Sequence, residues 1–263
     1  MKPDHRTKDE IIYGIHPVTE ALKAGRRKVS RVYISRENPG KRVNKLAEKI
    51  RKTDIYVEAV SREQLNKLSR SDYHQDIAAR VSLLPTTAGS RLLEPESGIG
   101  PDTFLLVLDS VVDPQNFGAL VRTAVCMGAD AVIISRDRSA GPGPAASRAS
   151  AGAMEHARIC VVTNLANYMK DLKKNGFWII GLDHMAHLSI AETDMTGKCA
   201  LIIGGEDTGI RPLVKRRCDF LCAIAQSGPV NSLNASVAGG MAVYEAMRQR
   251  RTAALKKNNA KTR

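Results

Sequence analysis

The amino-acid sequence has few aromatic residues and no long hydrophobic run. Phe, Trp and Tyr together make up 4% of the 263 residues, and there is one Trp. Proteins that bind nucleic acid mainly by base stacking use many aromatic side chains, so this composition argues against that mode. No stretch approaches the roughly 18–20 consecutive apolar residues of a membrane-spanning helix, and we expect no membrane partner. Hydrophobic residues still make up 43% of the chain, which is enough for a sizeable core.

Motifs for metals, nucleotides and disulfide bonds are also missing. The five cysteines include no C-x-x-C pair, and no His lies where it would complete a metal-binding set, so no metal site is expected. The odd number of cysteines, with no recognisable signal peptide, favours reduced thiols in a cytoplasmic protein. Neither G-x-G-x-x-G nor a P-loop lysine is present, which argues against a dinucleotide or ATP site.

The net charge of +13 is concentrated at the two ends of the chain. Residues 1–85 hold 19 Lys and Arg against 11 Asp and Glu, and residues 248–263 hold seven basic residues and no acidic one. Residues 86–247 are nearly neutral, with 14 basic and 16 acidic residues. Basic ends around a neutral centre favour a polyanionic partner, with small-molecule chemistry in the middle. A basic protein with no nucleic-acid role is the alternative.

The hydrophobic pattern divides the chain into two α/β parts. Residues 1–10 are polar and are expected to form a flexible N-terminus, whereas residues 11–84 alternate short strands and helices. Residues 85–103 are rich in Pro, Gly, Ser and Thr and are expected to form a linker. From 104 to 250, continuous apolar strands alternate with helices, which predicts a parallel sheet with helices on both faces. Residues 251–263 are expected to form a basic tail.

Three turns that follow predicted strands carry polar residues in otherwise apolar surroundings. The first, D-P-Q-N-F-G, follows strand 104–109 and leads into a helix that carries Arg122. The second, I-I-G-G-E-D-T-G-I, ends strand 199–203, and the third, V-N-S-L-N-A-S-V-A, lies between strand 219–224 and the last helix. In a parallel sheet, the carboxyl ends of the strands form the ligand-binding edge. Taken one at a time, each turn is also explained by helix capping and close backbone packing.

In this order, and after three strands of one sheet, the turns resemble the three signature motifs of the SpoU (TrmH-type) RNA 2′-O-ribose methyltransferases. The stretch Ser150–Ala153 is similar to the S-x-G-A segment between the first two motifs of that family. The resemblance covers residues 104–250. It implies a trefoil-knotted methyltransferase domain that uses S-adenosyl-L-methionine as its cofactor. It also implies a homodimer formed through the knotted region, here with the last helix, 234–250, at the interface.

The resemblance further implies roles for residues of the three turns. Arg122 is expected to hold the phosphate next to the target ribose and to stabilise the forming alkoxide, because a guanidinium stays protonated. The residues expected to position Arg122, the ribose and the cofactor are Asn116, Glu206, Ser232 and Asn234. The residues expected to contact the cofactor, largely through backbone groups, are Gly204, Ile224 and Leu233.

The N-terminal part resembles the substrate-binding domain of one branch of the family, the 23S rRNA guanosine-2′-O-methyltransferases, which is an L30e-like module. The matching stretches are I-Y-G-I-H-P-V-T-E-A-L at 12–22 and H-Q-D-I-A at 74–78. One departure is Asp76, where that branch usually has Gly, and another is I-A-Q at 224–226, where it has I-P-M. The resemblance implies methylation of a guanosine ribose in 23S rRNA, with RNA or a ribosomal precursor as the partner.

Other functions remain open at this point. Within the same chemistry, the substrate could be a tRNA ribose or another nucleotide of rRNA. A non-catalytic rRNA-binding assembly factor with the same fold is an alternative of a different class. Such a relative is expected to have lost motif residues, whereas the motif Asn, Arg, Glu and Ser residues are all present here.

Overall fold

The computed structural model describes residues 9–229 and 232–261, which form two compact units. The N-terminal unit consists of the described residues up to Pro85 together with Pro142–His156. The C-terminal unit consists of Thr86–Gly141 and the described residues from Ala157 onward. The chain therefore leaves the C-terminal unit once, adds a short segment to the N-terminal unit, and returns.

Twelve strands and nine helices are present in the described residues. The strands are β1 (Asp9–Tyr13), β2 (Val29–Ser35), β3 (Tyr56–Val60), β4 (Ile77–Ser82), β5 (Thr87–Ala88), β6 (Phe104–Asp109), β7 (Ala131–Ser135), β8 (Ile159–Val162), β9 (Trp178–Leu182), β10 (Leu188–Ser189), β11 (Cys199–Gly204) and β12 (Phe220–Ala223). The helices are α1 (Ile15–Ala24), α2 (Lys41–Ile50), α3 (Arg62–Ser69), α4 (Gly89–Leu92), α5 (Pro114–Met127), α6 (Pro144–Ala149), α7 (Leu165–Lys174), α8 (Pro212–Lys215) and α9 (Ala235–Lys261).

The sheet of the N-terminal unit is mixed and has the order β1-β4-β2-β3. Strand β4 is antiparallel to both of its neighbours, and β3 is parallel to β2. The prediction of a flexible N-terminus over residues 1–10 is wrong for Asp9 and Glu10, which pair with Ser82 and Val81 in β1. Residues 1–8 lie outside the described residues. Strand β1 is short and begins with two charged residues, so no alternation of polar and apolar residues marks it in the sequence.

The turn before β4 explains why Gly is favoured at position 76. Gln75 and Asp76 have φ angles of 54° and 61°, in the left-handed region. Asp tolerates this region better than most residues with a Cβ atom. Buried His74 holds the turn, since its Nδ1 accepts from Asp76 N at 2.9 Å while its Nε2 lies 2.7 Å from Asn66 Oδ1. Desolvation lowers the pKa of His74, in keeping with a neutral ring.

The C-terminal unit is built on an eight-stranded sheet in the order β10-β12-β9-β11-β6-β7-β8-β5. Every neighbouring pair is parallel, which confirms the predicted parallel sheet. All residues of β6 and all but the last residue of β11 are buried, as expected for strands covered on both faces. After β6, strands β7 and β8 are added in turn on one side of the sheet. Strand β11, which comes later in the chain, lies on the other side of β6, between β6 and β9. The carboxyl ends of β6 and β11 are therefore neighbours.

Two segments expected to lack structure are ordered parts of the C-terminal unit. Residues 85–103, predicted as a linker, contain α4 and β5, which pairs with β8. Leu92 in this stretch is fully buried, and a Cβ atom on Gly89 would lie 2.4 Å from Val162 Cγ1. Composition suggested a linker, but these two residues pack against the unit. Residues 251–261, predicted as part of a basic tail, continue α9 to Lys261, and residues 262–263 lie outside the described residues.

The segment 142–156, which lies within the domain predicted over 104–250, packs in the N-terminal unit instead. Arg27 Nε lies 2.9 Å from Glu155 Oε2, and both side chains are fully buried. Arg27 also pairs with Glu10 in β1. Gly152 has φ +81° and a Cβ atom there would lie 2.9 Å from His16 O, so this position requires glycine. The S-x-G-A segment thus has a structural reason for its glycine.

The described cysteines form no disulfide bond. All five are free thiols, and burial raises the pKa of Cys160 and of Cys222 to about 11. Among the described residues, no helix is long and apolar enough to cross a bilayer. In the same residues, no group of three or more His, Cys, Asp and Glu side chains is placed to bind a metal ion.

The buried ion pair predicts a large loss of stability for Arg27→Ala. The substitution leaves the Glu155 carboxylate buried without its cationic partner, which costs about 3–5 kcal/mol in the free energy of unfolding. Urea denaturation followed by circular dichroism measures this change. The matched control is Arg31→Ala, which removes the exposed pair with Glu58 and is expected to cost less than about 1 kcal/mol. Equal losses for the two variants would contradict a structural role for the buried pair.

Candidate active site

The first two polar turns lie side by side at the carboxyl edge of the C-terminal sheet. Gly204, the last residue of β11, is opposite Asp109, the last residue of β6. The third turn follows β12, which is separated from β11 by β9. Val230 and Asn231, at the start of the third motif, lie outside the described residues.

Asn116 connects the three turns through its side-chain amide. It lies in the first turn of α5 and is buried. Its Nδ2 donates to Glu206 Oε1 in the second turn, and its Oδ1 accepts from Asn234 Nδ2 in the third turn at 3.0 Å. Both ends of one amide are therefore used to hold segments that are 90 and 118 residues away along the chain. The prediction that these three turns meet is confirmed.

Helix capping fixes the orientation of the residues on either side of this contact. Asp113 caps α5 by accepting from Gln115 N at 3.0 Å and from Asn116 N at 3.3 Å. Asn234 caps α9 in the same way, with its Oδ1 accepting from Ser236 N at 2.9 Å. Because this oxygen is used in the cap, Asn234 presents its Nδ2 to Asn116. The motif residues therefore cap the helices and also bring the three turns together, so these two explanations of the motifs are not alternatives.

The glycines of the second turn are required by the protein's own backbone. A Cβ atom on Gly204 would lie 2.1 Å from Gly209 C, and one on Gly205 would lie 2.1 Å from Ser110 O. Real Cβ atoms do not approach backbone so closely, so a larger residue at 204 would distort the second turn and one at 205 would separate the first two turns. Glycine in this turn is expected to let the backbone come close to a ligand. Gly205 also lets the two turns come close to each other.

An ion pair that the sequence motifs do not include also fastens the second turn. Asp109 is fully buried and accepts from Arg211 N at 2.8 Å and from Arg211 Nε at 2.7 Å. A carboxylate at the end of a wholly apolar strand needs a partner, and that was the available signal in the sequence. The pair ties the end of β6 to the start of α8.

Arg122 is exposed and lies apart from the Asn116 contact. It follows Asn116 by six positions, so the two residues are about 120° apart around the axis of α5. The guanidinium of Arg122 forms no hydrogen bond or ion pair with the residues that the structure describes. It is therefore available to bind an anion. Ser232 is exposed as well. The structure thus joins Asn116, Glu206 and Asn234, whereas the roles predicted for Arg122 and Ser232 stay predictions.

The segment between β12 and α9 has the character of a site for an adenosyl group. Ile224 is half-buried and Leu233 is 39% exposed, so apolar surface is available at this edge. Residues 225–229 make no backbone hydrogen bond to other described residues, which leaves peptide N–H and C=O groups free. Ligand pockets combine apolar side chains with a few backbone donors and acceptors in this manner. Ile224 and Leu233 therefore have the chemistry that holding S-adenosyl-L-methionine requires, and the cofactor contacts predicted for them and for Gly204 stay predictions.

Comparison with known proteins identifies families for both parts of the chain. The SpoU rRNA Methylase family matches residues 103–244, and the family of RNA 2′-O ribose methyltransferase substrate-binding domains matches residues 11–87. The 23S rRNA (guanosine-2′-O-)-methyltransferase RlmB of Coxiella burnetii is 38% identical over 93% of this chain and 97% of its own length. The corresponding protein of Escherichia coli K12 is 36% identical over 92% of this chain and 99% of its own length.

Solved structures show the same fold. The SpoU methyltransferase AviRb from Streptomyces viridochromogenes, in complex with AdoMet, superposes with a TM-score of 0.77. The match covers 94% of this chain and 92% of that one at 23% sequence identity, which supports the fold alone. The α/β architecture with a parallel sheet, the joined motif turns and the family matches agree with one another. The chain belongs to the SpoU rRNA Methylase family.

Proposed function

We propose that this protein transfers the methyl group of S-adenosyl-L-methionine to the ribose 2′-hydroxyl of a guanosine in 23S rRNA. The observation that carries the proposal is the Asn116 amide, which joins the three motif turns of a methyltransferase family at one sheet edge. The functions of the relatives at 36–38% identity, which match nearly the whole chain, support 23S rRNA over tRNA as the substrate. A non-catalytic assembly factor has less support, because the contact between the motifs is intact.

The main task of the protein in this reaction is alignment. S-adenosyl-L-methionine supplies a methyl group that its sulfonium already activates for transfer. The ribose oxygen must be held in line with that methyl group, and such positioning contributes about 7–11 kcal/mol to lowering a barrier. Asn116, fixed by Glu206 and Asn234, keeps the ribose-binding and cofactor-binding turns at a constant separation. The exposed guanidinium of Arg122 holds the adjacent phosphate and stabilises the negative charge that develops on the 2′-oxygen as its proton passes to water.

We also propose that the chain is a homodimer in which α9 forms the interface. Val237, Met241 and Tyr244 follow one another at spacings of four and three residues, so they share a face of α9. Each is about half exposed, although it is large and apolar. An unpaired apolar stripe of this kind favours association, and a two-fold axis pairs the stripe with its copy.

A trefoil knot is part of the proposed fold. The supporting features are that β11 lies between β6 and β9, and that the chain returns from β12 so that α9 packs on α5. A Cβ atom on Gly239 of α9 would lie 2.4 Å from Leu120 Cδ2 of α5, so the two helices pack very closely. For the N-terminal unit we propose an L30e-like RNA-binding role. We place the activity in the cytoplasm, where rRNA substrates and reduced thiols are found together.

Arg122→Ala is expected to lower kcat for methyl transfer at least about 100-fold, because the charge on the ribose oxygen loses its stabilising partner. Binding of S-adenosyl-L-methionine, measured by calorimetry, is expected to stay unchanged. The control is Arg216→Ala, which removes another exposed guanidinium of the C-terminal unit. A variant lacking Arg122 that methylates its RNA at the normal rate would disprove the role assigned to this side chain.

Asn116→Asp is expected to lower kcat by about 100-fold, since small misplacements in an aligned site have effects of this size. The substitution replaces the Nδ2 donor by an oxygen that faces the Glu206 carboxylate. Adding Glu206→Gln restores a donor between the two side chains and is expected to recover part of the activity. Gln115→Glu, the same chemical change at the neighbouring exposed position, serves as the control. Normal kcat for Asn116→Asp, or no recovery in the double variant, would argue against positioning by this contact.

Met241→Glu is expected to convert the dimer into a monomer, because it places a charge in the middle of the apolar stripe of α9. Light scattering after size-exclusion chromatography measures the mass. Ala254→Glu introduces the same charge at an exposed position on a different face of α9 and is expected to leave the dimer intact. If the unmodified protein is already a monomer, or if Met241→Glu remains dimeric, the proposed interface is wrong.

A further inference from the structure

A second concave surface lies at the carboxyl edge of the C-terminal sheet, beside β7 and β8. It consists of two adjoining clefts of about 370 and 300 Å³, which share Thr163 and Asn164. We call this surface the β7–β8 groove. The residues whose side chains decide its chemistry are Ser135, Arg136, Asp137, Arg138, Thr163, Asn164, Asp171 and Arg211. None of them except Arg211 belongs to or directly follows one of the three motif turns.

The groove brings arginines together in a part of the chain that is nearly neutral, with two aspartates beside them. Residues 86–247 contain 14 basic and 16 acidic residues, yet three arginines line this one surface. Arg136 and Arg138 are exposed, and their guanidinium groups form no hydrogen bond or ion pair with the described residues. Arg211 is paired with Asp109 but still has a third of its side chain accessible. The acidic residues on the same surface are Asp137 and Asp171, of which Asp171 lies 4.0 Å from Lys174.

The loop that carries Arg136 and Arg138 is held in a fixed conformation. Arg136 N donates to Val162 O at 2.8 Å, and Ser135 Oγ donates to Asp137 O at 2.8 Å. Arg138 has φ +58°, in the left-handed region, which is unfavourable for a residue with a Cβ atom. Backbone strain of this kind persists where the surroundings impose it, and it is concentrated at functional sites. The guanidinium groups are therefore presented from a preformed loop.

The groove adjoins the candidate active site along the sheet edge. Strand β7 is the neighbour of β6, and adjacent strands are about 4.8 Å apart. Arg211 contacts Asp109 at the end of β6, just before the turn that carries Asn116. If the target ribose of an RNA strand lies at that turn, the neighbouring nucleotides of the strand would lie over β7 and β8. Guanidinium groups are well suited to phosphate, which they bind through paired hydrogen bonds.

We propose that the β7–β8 groove binds the RNA strand next to the methylated nucleotide, with Arg136 and Arg138 as phosphate ligands. The Thr163 hydroxyl and the Asn164 amide are placed to contact the sugar or base of a flanking nucleotide. The volume of each cleft is near the lower end of the range for pockets that hold small ligands, which suits a single nucleotide. This inference rests on the proposed function and adds to it a site outside the motifs.

The test compares Arg136→Gln/Arg138→Gln with the unaltered protein on an unmodified transcript of 23S rRNA. Filter binding over a range of salt concentrations is expected to give a slope of log K against log salt that is shallower by about 2, one for each lost phosphate contact. The KM for the transcript is expected to rise about tenfold, with kcat within about twofold, because these residues bind without taking part in the transfer. Arg138→Gly removes one of the charges without adding backbone strain, so its effect cannot come from misfolding.

The matched control is Lys170→Gln/Lys256→Gln, which removes two exposed charges of the C-terminal unit that line neither cleft. An unchanged salt slope and KM in the arginine variant would overturn the proposal. An equal change in the lysine variant would also overturn it, since the effect would then reflect total charge. RNA binding is measured without cofactor, so it reports on the groove independently of methyl transfer. Failure of the unaltered protein to methylate the transcript would count against the proposed function rather than against the groove.

Discussion

The side-chain amide of Asn116 is the contact on which the site depends. It uses its donor for Glu206 and its acceptor for Asn234, and so it joins three turns that are far apart in sequence. Other features of the C-terminal unit make this contact possible. Gly205 lets the first two turns approach, and the parallel order of β6 and β11 puts both turns at one edge. Glu206 and Asn234 are exposed, so removing the amide would cost the connection between the three turns rather than leave buried groups unsatisfied.

The parts of the fold that could be predicted from the sequence are those with strong periodicity. The buried strands of the C-terminal unit are continuous apolar runs, and their parallel arrangement follows from alternation with helices. The errors occur where composition and packing disagree. The stretch 85–103 has the composition of a linker but buries Leu92, and residues 251–261 look like a charged tail but continue α9. The placement of 142–156 in the N-terminal unit depends on the Arg27–Glu155 pair, which no local pattern reveals.

The site could be predicted in part for a different reason. The motif residues Asn116, Glu206 and Asn234 were identified through resemblance, and the structure brings them into contact. Spacing alone could not show that Arg122 would lie on another face of α5 from Asn116, nor that Asp109 would bind Arg211. The β7–β8 groove could not be predicted from the sequence either, because Arg136 and Arg138 belong to no motif. Their grouping follows from the sheet order and from a strained loop conformation, which are properties of the folded chain.

The central claim is that the three joined turns direct a methyl group to a ribose oxygen of guanosine in 23S rRNA. The most direct test incubates the purified protein with an unmodified 23S rRNA transcript and S-adenosyl-L-methionine labelled in its methyl group. The RNA is then digested to nucleosides, which are separated and identified by mass spectrometry. The account predicts that the label appears in 2′-O-methylguanosine. Label on a base or in another nucleoside, or no label in the RNA, would contradict it.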